Sequence, residues 1–280
     1  MSTVFEKEKF FINDSIRNDE GLISAFYGYS SGDEIHHYKK NIPDIEKLYD
    51  SYFQNCGVFS AVFKKDRKII AFTDPLGQYP LFYWSEAEKF CLSNDFYEVA
   101  NYSKGEVDEY VVQDYLTYFS PIDNKTLVKG CLTLPAGSVI EISFDNAVPK
   151  LTVLSIKPVK FNGDYSEALA LCVDRLRLRA RGLMDMSVPL VHLTGGLDSR
   201  LAFASFLSAS NNTDEFDVFC LGDGTSQDKL IFNKLVEKYD LNIGVMSMCG
   251  GRPSTEFQLE NISARFNGLK VTNHSNFIPD

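Results

Sequence analysis

No Cys-x-x-Cys pair occurs among the six cysteines (56, 91, 131, 172, 220 and 249), and the four histidines show no metal-ligand spacing. Neither a disulfide framework nor a zinc site is indicated, and reduced thiols in a cytoplasmic protein are the simplest reading. Basic charge is also scarce: the net charge is -10 and the pI near 5.0. A nucleic-acid partner requires a basic face to neutralise phosphates, so this balance argues against one. No run of about 18 apolar residues is present. The opening Met1-Ser2-Thr3-Val4-Phe5-Glu6-Lys7 has no basic segment leading into an apolar core, so neither a membrane span nor secretion is expected. Internal repeats and low-complexity tracts are missing too. What remains is 280 residues with 44% apolar content, enough to supply the cores of two globular domains.

The most informative stretch is Val188-Pro189-Leu190-Val191-His192-Leu193-Thr194-Gly195-Gly196-Leu197-Asp198-Ser199-Arg200. A short apolar run reads as a buried parallel strand, two glycines follow, and Leu201 to Ser208 reads as an apolar-periodic helix. The first N–H groups of a helix are unpaired, and its dipole places partial positive charge there, so such a junction attracts an anion. Glycines at 195 and 196 remove the Cβ atoms that would hold a phosphate away and permit positive φ. Thr194 and Ser199 add hydroxyls. The spacing is neither G-x-x-x-x-G-K-[ST] nor G-x-G-x-x-G, which excludes a Walker loop and a dinucleotide fingerprint. As a plain strand-to-helix turn, the same residues would serve only to cap the helix through Asp198 or Ser199.

The first half is rich in strand signals: Leu22 to Tyr29, Val58 to Phe63, Lys68 to Thr73, Pro80 to Trp84 and Ser138 to Ser143. Lys64-Lys65-Asp66-Arg67 reads as a charged hairpin loop and Asp74-Pro75-Leu76-Gly77 as a turn, while Val107 to Tyr118 has helical spacing. Pro158, Asn162 and Gly163 mark a linker, placing a boundary between residues 1–160 and 161–280. Beyond it, Tyr165 to Leu183 reads as an amphipathic helix with Leu169, Val173, Leu176, Ala180 and Leu183 on its core face. Arg175, Arg177, Arg179 and Arg181 step by two residues, so they cannot form one patch and are expected to be mostly solvated. A second buried strand, Phe216 to Leu221, precedes a helix from Lys229 to Tyr239. Ile243 to Met248 reads as a third parallel strand and Phe257 to Phe266 as a further helix. His192 is expected to be a hydrogen-bonded core histidine, and His36, His37 and His274 have no nameable partners.

These motifs carry a resemblance. Thr194-Gly195-Gly196-Leu197-Asp198-Ser199 resembles the PP-loop, S-G-G-x-D-S, of enzymes that split ATP into AMP and pyrophosphate. Gly57 to Ala61, Asp74 to Gly77, Pro80 to Tyr83, Leu92 to Asn94, Asp123 to Leu127 and Leu134 to Gly137 are similar, in order and spacing, to the amidotransferase-like N-terminal domain of the asparagine synthetase family. The resemblance implies an α+β, β-rich amidotransferase-like sandwich over residues 1–160, followed by an α/β parallel-sheet PP-loop domain over 161–280. The family's glutaminase uses a cysteine directly after the initiator Met, with its own α-amine as base. Here Ser2 stands there, and no Asn-Gly-Glu segment occurs in the first half. Cys56-Gly57-Val58-Phe59 mimics an amidotransferase start but is internal, and Cys56 is expected to be a buried structural cysteine. The first domain therefore resembles the inactive relative found in β-lactam synthetase and lasso-peptide cyclases.

The function implied is an ATP-dependent ligase forming an amide bond: a small-molecule or peptide carboxylate is adenylated with release of pyrophosphate, and an amine or ammonia displaces AMP. By the same resemblance, Thr194, Gly195, Gly196 and Ser199 hold phosphates, Leu193 and Leu221 flank the adenosine, and Asp198 either braces the loop or ligates Mg2+; Leu221 is placed by the spacing from Gly222 to Asp228 before the next helix, which matches the family's. Arg200 is left without a role. A glutamine-hydrolysing asparagine synthetase and a non-catalytic ATP-binding or partner-binding module stay open as alternatives. Family members continue into an acidic Gly-Asp-Gly-x-Asp-Glu segment for pyrophosphate and Mg2+ and a helical acceptor pocket. The triplet Gly222-Asp223-Gly224 comes too early to be that segment, so the sequence is expected to be either an N-terminal piece or a natural truncation.

Overall fold

The computed structural model describes residues 3–7, 11–13, 23–31, 57–65, 67–144, 148–156, 160–221 and 224–244. Met1, Ser2, Leu22, His36, His37, Cys56, residues 157–159, Gly222, Asp223, residues 245–248, the helix expected over 257–266 and His274 lie outside them. The described residues fall into two compact units, 3–156 and 160–244.

The first unit is built from antiparallel sheets. Strands β1 (Thr3–Lys7), β3 (Ile23–Ser31), β4 (Gly57–Lys65), β5 (Lys68–Thr73), β9 (Ser138–Ser143) and β10 (Lys150–Ser155) form a six-stranded sheet in the order β1-β3-β4-β5-β9-β10. A second sheet, in the order β2-β7-β6-β8, comprises β2 (Phe11–Asn13), β6 (Phe82–Glu86), β7 (Lys89–Ser93) and β8 (Leu132–Thr133). Alternate side chains of the two sheets meet in one core. Val62, Ile69, Ala71, Ile140 and Ile142 come from the first, and Ile12, Tyr83, Phe90 and Leu92 from the second. Strand β5 is central and reads Ile-Ile-Ala-Phe because both its faces are covered: Ile70 and Phe72 point away from the shared core, where Phe72 meets Phe59 and Phe63. The hairpin between β4 and β5 is tighter than the four charged residues imply, since Lys65 already pairs with Lys68.

Helix α1 (Phe96–Ser103) covers the outer face of the second sheet, where Phe96 and Val99 pack with Phe82, Cys91 and Cys131. Helix α2 (Glu109–Tyr118) is capped by the Asp108 carboxylate, which accepts from the Tyr110 and Val111 N–H groups.

The second unit alternates helix and strand. Helix α3 (Tyr165–Met184) opens on a capping box: the Glu167 N–H donates to Asp164 Oδ1 and the Asp164 N–H to Glu167 Oε2, both at 2.9 Å. Strand β11 (Leu190–His192) and β12 (Asp217–Phe219) pair in parallel, and Ile243 continues the sheet through a parallel bridge to Val218. Helix α4 (Leu197–Ala209) follows β11, and α5 (Gln227–Tyr239) follows β12. Val191, Leu193, Val218, Phe203, Phe216, Phe232, Leu241 and Met184 form the core.

Three expectations for this unit change. The core face expected along α3 is realised only at its C-terminal end: Ala180 and Met184 are buried, whereas Leu169 is 52% and Val173 46% exposed. The helix packs on α4, and its apolar stripe extends past the surface that the described residues cover. His192 is exposed rather than core, because Val191 and Leu193 take the inward positions of β11 and period-two alternation turns His192 to the other face. There its ring stacks on Phe219 at 4.7 Å. Arg181 is not a solvated member of its arginine series. It pairs with Asp185 and with Glu215, each at 2.8 Å, and donates to the Ala209 carbonyl.

No helix among the described residues is long and apolar enough to cross a membrane. Cys91, Cys131, Cys172 and Cys220 are free thiols.

Candidate functional site

The stretch 188–200 folds into a shorter loop than its sequence implies. Helix α4 begins at Leu197, so only Thr194, Gly195 and Gly196 separate it from the sheet, and Asp198, Ser199 and Arg200 lie in its first turn. Gly196 is the N-cap, with φ -68 and ψ 152, and no side chain caps the helix. The amides of Leu197, Asp198 and Ser199 thus begin α4 without a side-chain acceptor, at the carboxyl end of β11. This is the anion-attracting arrangement of a bare helix start.

The glycines act differently from the expectation that positive φ turns their amides together. Neither Gly195 nor Gly196 has positive φ. Gly195 leaves room for α5: a Cβ there would lie 2.7 Å from Ile231 Cδ1 and 3.0 Å from Asp228 Oδ1, side-chain ends that would have to shift. A Cβ on Gly196 would meet only the Thr194 hydroxyl at 3.3 Å and the Ser199 hydroxyl at 3.9 Å.

Inside the loop the amides have partners. The Thr194 N–H donates to Ser199 Oγ at 3.1 Å, the Gly196 N–H to Thr194 Oγ1 at 3.1 Å, and the two hydroxyls are 2.8 Å apart. The Gly195 N–H donates to Asp228 Oδ1 at 2.8 Å. Thr194 and Ser199 therefore shape the loop directly, and the carboxylate that ties it to the rest of the fold belongs to Asp228.

Asp198 is exposed and makes none of these hydrogen bonds. Arg200 folds back, its Nε donating to the Gly196 carbonyl at 3.3 Å. The Leu193 side chain is completely buried in the core, and its N–H donates to the Phe219 carbonyl at 2.8 Å, so only its backbone could border a ligand. Leu221 is half-buried just past β12. Beside it, Lys229 places Nζ 3.5 Å from the Cys220 carbonyl and 4.5 Å from the Phe232 ring centre. Burial pushes the Cys220 thiol up in pKa, which the neighbouring Lys229 opposes.

The spacing from Gly222 to Asp228 before the next helix was legible as part of the resemblance, but the bond from the Gly195 amide, 33 residues away, was not. The available signal was an acidic residue in the first turn of the helix after the second strand. Helix α5 begins two residues earlier than its periodicity indicates, with Ser226 Oγ accepting from the Lys229 N–H, and this places Asp228 in that turn. Among the described residues no group of three or more His, Cys, Asp or Glu could hold a metal ion.

In the first unit, three separated segments converge on a cleft of about 540 Å³: Leu76 and Gly77, Asp123 to Lys125, and Leu134 to Ala136. Gly77 has φ +65, and a Cβ there would press on Ala136 at 3.3 Å, so both backbone and space require glycine. The turn is held by the buried Asp74 carboxylate, which accepts from the N–H groups of Phe59, Leu76, Gln78 and Tyr79 at 3.0 to 3.3 Å. Desolvation raises the Asp74 pKa, against the lowering effect of the Gln78, Phe59 and Leu76 amides.

No protein-family model matches the sequence, and no curated protein does. Among solved structures, the chain is similar to the glutamine phosphoribosylpyrophosphate amidotransferase from B. subtilis complexed with ADP and GMP. The TM-score is 0.32 and the identity 11%, over 77% of this chain and 48% of that one. It is also similar to an allosteric regulatory enzyme of purine biosynthesis, with TM-score 0.32 and 9% identity over 82% of this chain and 51% of the other. The chain spans about half the length of these two structures.

Proposed function

We propose that the loop 194–196 and the first turn of α4 form the phosphate-binding part of an ATP-dependent, amide-bond-forming ligase of the asparagine synthetase type. The observation that carries this reading is the bare N-cap. A helix whose cap is Gly196 and whose first amides have no side-chain acceptor lies at the carboxyl end of a parallel strand, where ligands of α/β sheets bind. Its sequence is the one that resembles the PP-loop. Bound ATP supplies an α-phosphorus open to attack, with pyrophosphate as leaving group. The chain's own share is to bind and orient: the amides of 197–199 face the negative charge, Thr194 and Ser199 hold the loop in shape, and the half-buried Leu221 borders the adenosine with the Leu193 backbone.

Mg2+ belongs to this reading, but the described residues do not fit it alone, because Asp198 has no second and third carboxylate beside it. The acceptor is a small-molecule or peptide carboxylate and the donor an amine or ammonia, in a cytoplasmic protein with reduced thiols. Residues 1–160 serve as a degenerate amidotransferase-like scaffold.

The test is calorimetric titration of ATP into wild type, Gly196→Val and Asp198→Asn. Wild type binds. Gly196→Val loses binding, because the backbone there accepts a side chain but branched carbons would fill the approach to the first amides of α4. Asp198→Asn binds with a smaller loss. Undiminished affinity in Gly196→Val would show that the loop is not the phosphate site.

A further inference from the structure

We propose that Asp228 is an internal anion of this loop. Its carboxylate holds the Gly195 amide that a phosphate would otherwise engage, and so sets how strongly the loop binds anionic ligands. The proposal rests on the phosphate-loop reading above.

The three loop amides are held by different chemistry. Those of Thr194 and Gly196 donate to neutral hydroxyls contributed by Ser199 and Thr194. A hydroxyl can rotate and donate to an incoming oxygen, so these partners need not leave when an anion arrives. The Gly195 amide alone donates to a carboxylate, which accepts but cannot donate. A charge-assisted bond of 2.8 Å is also the strongest of the three.

The contact is built into the packing. The room left by the missing side chain of Gly195 is filled from α5 by Ile231 and Asp228, not left open for a ligand. Asp228 lies in the first turn of α5, where the helix dipole favours a negative charge and the Ser226 cap fixes the turn. The neighbouring Lys229 does not draw it away, since its ammonium lies against the Cys220 carbonyl and the Phe232 ring.

A phosphate approaching the start of α4 therefore meets a carboxylate held at the Gly195 amide and the Arg200 guanidinium, folded onto the Gly196 carbonyl. Asp198 adds a second exposed carboxylate in the same turn. To use the Gly195 amide the ligand must displace Asp228, and while Asp228 stays it repels the ligand. At an exposed site, like charges separated by a few ångströms alter affinity by about three- to tenfold. Asparagine keeps the acceptor oxygen and removes the charge, which separates repulsion from bracing.

The experiment is calorimetric titration of inorganic pyrophosphate and of ATP into wild type, Asp228→Asn, Asp228→Ala and Glu237→Gln. The last removes the same unit charge from the exposed far end of α5, about 13 Å along the helix. The Gly195 amide signal is followed by 15N-edited NMR in parallel, and circular dichroism confirms that each variant is folded. Both Asp228 variants should bind about three- to tenfold more tightly than wild type, with Glu237→Gln unchanged. In wild type the Gly195 amide signal should move as pyrophosphate is added. Equal or weaker binding in both Asp228 variants would overturn the proposal and leave Asp228 as a brace. An equal gain in Glu237→Gln would overturn it in favour of net charge. Failure of wild type and all variants to bind either ligand would refute the phosphate-loop reading itself, and this proposal with it.

Discussion

A methyl group placed on Gly195 and one placed on Gly196 should have unequal consequences, although the residues are adjacent and chemically identical. At Gly195 the new carbon would lie 2.7 Å from Ile231 Cδ1 and 3.0 Å from Asp228 Oδ1, both well inside contact distance. These atoms are the ends of side chains, so they can move, and the cost falls toward the lower part of the overpacking range of about 1–3 kcal/mol. Moving Asp228 also stretches its bond to the Gly195 amide, and a hydrogen bond contributes about 0.5–1.5 kcal/mol. Alanine also reduces unfolded-state entropy by about 0.4–1 kcal/mol, so Gly195→Ala should lose about 0.5–3 kcal/mol. At Gly196 the backbone, φ -68 and ψ 152, is open to any residue, and the nearest contact is the Thr194 hydroxyl at 3.3 Å. Alanine is a poorer N-cap than glycine by up to about 1 kcal/mol. It also reduces unfolded-state entropy by about 0.4–1 kcal/mol, so Gly196→Ala should lie within about 0.5 kcal/mol of wild type. The measurement is urea unfolding followed at two signals. Far-UV circular dichroism reports the helical unit, and fluorescence of Trp84, the only tryptophan, reports the β-rich unit. Only the first should shift. Equal losses at the two glycines, or a larger one at Gly196, would show that α5 does not press on the loop at Gly195.

Three further outcomes can be checked. Asp74→Ala leaves the amides of Phe59, Leu76, Gln78 and Tyr79 without their shared acceptor and should destabilise the β-rich unit by about 3 kcal/mol, read from Trp84 fluorescence in urea; a loss under about 1 kcal/mol would mean other partners replace it. The Glu215 carboxyl is held below its ordinary value of 4.5 first by the Asn211 N–H and then by Arg181. Its contribution is therefore present above 4.5 and lost as pH falls through the lowered folded value, so thermal melts on the acid side of 4.5 should show a shallower loss in Glu215→Gln; an unchanged acid profile would rule this out. Under the proposed scaffold reading of residues 1–160, incubation with glutamine should release no glutamate, because Cys56 is preceded by 55 residues and carries no free α-amine; turnover abolished by Cys56→Ala would refute that reading.

Features encoded within a few residues were legible from the sequence. Short apolar, β-branched runs bounded by turn residues marked β5 over Lys68–Thr73 and β9 over Ser138–Ser143. The Pro-Leu-Gly turn after Asp74 and the helices over Tyr165–Met184 and Glu109–Tyr118 were equally readable, because periodicity, caps and turn chemistry act over one to four positions. The glycine pair marked the junction between β11 and α4 for the same reason. The tertiary structure decided what those residues touch. Parallel pairing of β11 with β12 carries the start of α5 to the loop. Only that meeting crowds the position of Gly195, gives its amide to Asp228 across 33 residues and brings Ile231 against it. The same holds for Arg181, which reads as one of four solvated arginines until the chain returns 34 residues later with Glu215. Strand pairing also chose which side of β11 faces the core, burying Leu193 and turning His192 outward. Local patterns follow from steric and hydrogen-bonding rules between near neighbours, whereas these contacts depend on which distant surfaces exclude water together, and that is settled only when the whole unit folds.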